Sequence, residues 1–130
     1  MFKSALVLLS VIISTSLFAH EDHNKVPGLL KANHGGKVET GKEINLEYVV
    51  AGTEVKLFPA SHEGKDLVAS EVKLSAKTKL PKGKPEPVKL VSKDGAFVAL
   101  IDFKTSYRVE MTVDAEVNGK KSTFKLQIEK

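Results

Sequence analysis

The 130-residue chain contains no cysteine and no tryptophan, and 42% of its residues are hydrophobic; a length in this range is that of one domain. Without cysteine it has no disulfide, no thiolate metal site and no cysteine nucleophile. Twenty Lys+Arg against sixteen Asp+Glu give a net charge of +4, but Arg108 is the only arginine, which disfavours reading of bases through planar guanidinium forks.

Residues 1–19 carry the three parts of a secretory signal peptide. Lys3 gives a positive start, Ala5 to Ile13 is apolar apart from Ser10, and Ser14 to Ala19 is a small and polar cleavage region. The apolar stretch is short for a membrane span, and no cysteine follows for lipid attachment. Cleavage after Ala19 is expected, so the mature protein starts at His20 and is periplasmic or secreted, with no stable membrane anchor after processing.

Residues 20–33 are polar, contain Pro27 and Gly28 and show no sustained periodicity, which marks a flexible N-terminal segment. From residue 34 to 130 the reading is β. Ile44, Leu46, Tyr48 and Val50 alternate with Asn45 and Glu47, placing the polar pair on the opposite, outward face. Gly52 interrupts, and Val55 to Phe58 makes the next strand. Ser61 to Asp66 reads as a turn, and Leu67-Val68 leads into Val72, Leu74 and Ala76. Three prolines between Leu80 and Pro87 keep that stretch out of a central strand. Val88 to Val91 and Ala96 to Phe103 then flank Asp94-Gly95, a hairpin signal.

The last third alternates most regularly. Tyr107, Val109, Met111, Val113, Ala115 and Val117 share one face. Asn118-Gly119 offers the two positive-φ residues of a type I′ hairpin, and Phe124, Leu126 and Ile128 return inward. Asp102 followed by Tyr107 offers a weak tyrosine-corner signal. The expected architecture is all-β: a single immunoglobulin-like β-sandwich of about seven antiparallel strands, spanning residues 34–130.

One set of residues has a familiar layout: His34-Gly35-Gly36, Gly41, Glu43 to Val50, Gly52, Val55 to Phe58, then Gly64-Lys65-Asp66, Tyr107-Arg108-Val109 and Gly119-Lys120. It resembles the small β-domain of periplasmic adaptor subunits of heavy-metal efflux systems and of related stand-alone periplasmic proteins. The resemblance spans roughly His34 to Ile128. It implies a metal-related periplasmic role, although the helical hairpin, lipoyl-like domain and membrane-proximal barrel of a complete adaptor have no room in this chain.

The candidate chemistry lies in four histidines, His20, His23, His34 and His62. A terminal His20 chelates through its α-amine and imidazole together, and His23, His34 or His62 complete the set, with Glu21, Asp22 or Glu63 as oxygen donors. Nitrogen-rich ligation without thiolates suits Cu(II), Ni(II) or Zn(II). Met111, the one methionine beyond the leader, is in phase with the core, which argues against a methionine-lined Cu(I) carrier. His34-Gly35-Gly36 reads more simply as a turn entering the first strand, its glycines permitting positive φ, and His62 as a surface turn residue.

Catalysis is not expected. There is no Gly-x-Ser-x-Gly elbow, no His-Glu-x-x-His helix and no glycine-rich phosphate loop. Two functional readings follow. The first is a periplasmic accessory protein that binds a divalent heavy-metal ion (copper, zinc or nickel), linked to metal efflux or tolerance. The alternative is a non-catalytic sandwich whose edge strand or lysine-rich loop docks on another envelope protein.

Overall fold

The computed structural model describes residues 31–130. The expected signal peptide, His20 and His23 lie outside this range. The described residues form nine strands and no helix: β1 (Lys37–Thr40), β2 (Asn45–Ala51), β3 (Glu54–Ala60), β4 (Lys73–Lys79), β5 (Glu86–Val88), β6 (Val91–Lys93), β7 (Ala96–Leu100), β8 (Arg108–Val117) and β9 (Lys120–Glu129).

They build two antiparallel sheets, one ordered β1-β2-β3-β7-β6 and the other β5-β4-β8-β9. The two-sheet, all-β expectation therefore holds, with nine strands rather than about seven. The difference lies in short strands: β1 has four residues, and β5 and β6, three residues each, stand where one strand is expected, all too short for alternation to register in sequence. The stretch Val88 to Val91 is divided between the two sheets. Pro87 lies in β5 at the sheet edge, where a missing N–H is tolerated.

The turns follow their glycines. Asp94-Gly95 (φ 50° and 81°) and Asn118-Gly119 (φ 53° and 79°) close two-residue hairpins with both central residues left-handed, the type I′ pattern. The second holds β8 and β9 in register over ten residue pairs, from Arg108 opposite Glu129 to Val117 opposite Lys120.

The core lies between the sheets. Leu46, Val55 and Leu57 meet Val109, Met111, Val113, Leu126 and Ile128, all essentially inaccessible to solvent. Removing this apolar area from water is the main force holding the sheets face to face. Tyr107 departs from its expected inward position. It precedes the first residue of β8, is 66% exposed, and its carbonyl accepts the Lys130 N–H at 2.9 Å. Asp102 Oδ1 accepts the Lys104 N–H at 3.0 Å, so its carboxylate serves its own turn and builds no tyrosine corner.

Asn45 and Glu47 occupy the outward face of β2, as alternation predicts, but they are buried, at 1% and 3% exposure. Phe58, opposite Glu47 on β3, and Ala60, opposite Asn45, are buried on that same face, outside the main core cluster. Residues 33–36 fold over this corner of the sheet, so an outward face here is not a solvated one.

Candidate metal-binding site

The covering segment is held by Glu47. Its Oε1 accepts the Asn33 N–H at 2.9 Å, and its Oε2 accepts those of His34 at 2.8 Å and Gly36 at 2.9 Å. Three backbone donors converging on one carboxylate compensate the burial of its charge and form an anion-cradling nest. The two glycines make this geometry possible in different ways. Gly35 has φ 77°, and a Cβ on Gly36 would lie 2.3 Å from the Tyr48 carbonyl oxygen. The His-Gly-Gly run is therefore a backbone device, and the His34 side chain is left over for another task.

That side chain is fixed from two directions. Its ring stacks on Phe58, with centroids 3.8 Å apart and planes 10° from parallel. Its Nε2 donates to Asp66 Oδ2 at 2.8 Å. A carboxylate oxygen accepts, so the proton of a neutral imidazole sits on Nε2 and the lone pair on Nδ1. Asp66 is positioned by the turn before it. Ser61 N–H donates to the Lys65 carbonyl, Gly64 N–H to the Ser61 carbonyl, and Asp66 bridges back to Ala60. Asn33 Nδ2 ties the two loops together by donating to the Gly64 carbonyl at 2.7 Å. The His34 and Asp66 side chains remain 31% and 48% exposed, open to a ligand from solvent.

His62 has a different role. Its Nε2 donates to the Gly41 carbonyl at 3.0 Å, and the Gly41 N–H donates to the Ile44 carbonyl at 2.8 Å. It thereby pins the turn between β1 and β2, where Gly41 lies against the Phe124 ring closely enough that a Cβ would sit 2.6 Å from it. Of the two candidate histidines within the described residues, His34 acquires a carboxylate partner and His62 a backbone carbonyl. The described residues contain no group of three or more His, Asp or Glu side chains arranged to hold an ion.

Asp66, Phe58 and Glu47 were not legible as site residues from sequence. Asp66 reads as a turn residue and Phe58 as a strand aromatic. The available signal was the acidic residue inside an apolar strand, downstream of a His-Gly-Gly run whose backbone donors need an acceptor.

An ion is geometrically admissible between His34 and Asp66. Donors about 2.0–2.2 Å from a tetrahedral centre lie roughly 3.3 Å apart, so the 2.8 Å pair would need to open by about 0.5 Å. The opposite arrangement keeps the pair closed, with Asp66 orienting the ring and Nδ1 facing the ion, the usual role of a carboxylate behind a ligating histidine.

No known protein family and no curated protein matches the chain. Among solved structures, it is similar to a DUF4426 family protein from Pseudomonas aeruginosa, at 22% identity and a TM-score of 0.53, over 72% of this chain and 96% of the other. That likeness establishes a shared β-fold and nothing about the site.

Proposed function

We propose that this is a non-catalytic periplasmic accessory protein that binds a divalent heavy-metal ion, Cu(II), Zn(II) or Ni(II), in connection with metal efflux or tolerance. The observation that carries the reading is the half-exposed His34–Asp66 pair, stacked on Phe58 and seated on a loop that Glu47 holds rigid. Such preorganisation lowers the entropy that must be lost when a ligand set closes on an ion. Two donors do not make a tight site. The further ligands come from the segment leading into Asn33, where His20 and His23 stand with Glu21 and Asp22.

The test is calorimetric titration of the mature protein with Cu(II) and Zn(II) at physiological salt, with one sample starting at His20 and another carrying an added glycine before it. One-to-one binding that weakens at least tenfold in H34A and in the glycine-extended sample is expected. Affinity unchanged in H34A refutes a site built on this pair.

A further inference from the structure

A second feature lies on the other side of the sandwich, where β5 ends one sheet and β6 ends the other. A cleft of about 520 Å³ opens there, with Leu80, Val88, Val91, Val98 and Leu100 as its apolar lining. Val91 is 50% exposed and Leu100 71%. Register puts Val91 opposite Val98, two residues from Leu100, so the three form one apolar stripe on one face.

The two edges flanking this cleft are unequal. β5 carries Pro87, which has no N–H to offer a further strand. β6 has no such block, and all three of its residues are exposed. The two-residue Asp94-Gly95 turn makes Lys93–Ala96 the hydrogen-bonded pair. The next pair, Ser92–Phe97, is then non-hydrogen-bonded, and the Ser92 N–H and C=O point to the free edge.

The charge around the cleft is also unequal. Lys84, Lys89, Lys93 and Lys104 line it and make no ion pair among the described residues. Of its three carboxylates, Glu54 lies 4.0 Å from the Lys56 ammonium, Asp102 accepts the Lys104 N–H, and Glu86 is the third.

We infer that the β6 edge is a docking strand for an extended segment of a partner protein that carries apolar and acidic side chains together on one face, at every second position. Backbone pairing at Ser92 supplies the attachment. Apolar side chains of the added strand extend the Val91–Val98–Leu100 stripe, and acidic ones meet the lysines, the usual division between affinity and specificity in strand addition. This surface is independent of the His34–Asp66 site.

Panning a displayed library of random twelve-residue peptides on the purified protein tests the inference. Expected is enrichment of sequences in which apolar and acidic residues together occupy every second position. The consensus peptide should bind at least tenfold more weakly to S92P, which removes the edge donor without touching the β7 ladder, and to V91D, a surface change. Its affinity should fall several-fold between about 50 and 300 mM salt, as screening shortens the reach of the lysines. Enrichment without an acidic consensus, binding indifferent to S92P and V91D, or binding of laurate at the cleft with no peptide enriched would each overturn it.

Discussion

Replacing Glu47 by glutamine isolates the device that holds the His34 loop. The amide is nearly isosteric with the carboxylate but has one acceptor oxygen. In its better orientation that oxygen takes the place of Oε2 and keeps the His34 and Gly36 donors, while the amide NH₂ faces the Asn33 N–H. Leaving the part-buried Asn33 donor without this acceptor costs about 1 kcal/mol, the low end of the penalty for a buried donor, and two charge-assisted bonds become ordinary ones with a loss of about 1 kcal/mol each. Easier burial of a neutral side chain offsets part of this. The net loss is about 2 kcal/mol, a substantial share of the ~5–15 kcal/mol that holds a typical domain folded. With a urea slope near ~1 kcal/mol/M, the midpoint followed by circular dichroism falls by roughly 2 M. Hydrogen exchange supplies the specific readout. The amides of Asn33, His34 and Gly36 lose protection well beyond the global decrease seen in β8. Unchanged stability with those three amides still protected would refute the carboxylate's role as the anchor.

The two glycines of the loop separate steric from conformational cost. G36A drives a methyl toward the Tyr48 carbonyl oxygen, so a thermal melt should show a loss of about 2–3 kcal/mol. G35A meets open space but sits at φ 77°, so its loss is about 1–2 kcal/mol; equal losses would contradict the geometry. The Tyr48 hydroxyl is held above its ordinary value of 10.0 by burial first and by the charge of Glu39 second. Below pH 10.0 its contribution is fully present. As pH rises past 10.0 the unfolded chain releases this proton before the folded one does, so stability declines. Urea midpoints against pH should therefore fall less steeply above 10.0 in Y48F than in the native protein, and parallel curves would remove this explanation.

The sequence announced most clearly what depends on local pattern. β8 and β9 run ten residues each, alternate over most of that length and meet at Asn118-Gly119, so their faces and turn can be read directly. Asn45 and Glu47 show the limit of that reasoning. Alternation assigned their face correctly, but whether a face is wet depends on what covers it, and here the cover comes from residues 33–36. The site behaves the same way. His34 was visible as a residue type with nothing in the core to require it. Its partner Asp66 lies 32 positions away, in a turn brought close only by folding. His62, equally visible, became a turn fastener because a carbonyl happened to be within reach.

The covered corner of the first sheet also governs how much amino-acid change the chain can absorb. Along β9, buried and exposed residues alternate without a break from Ser122 to Glu129, so every second position is open to exchange. From Asn45 to Tyr48 all four residues are buried, the polar two beneath the loop and the apolar two in the core. Drift in the sequence thus has a period of two at the C-terminal hairpin, whereas the start of β2 admits almost none on either face.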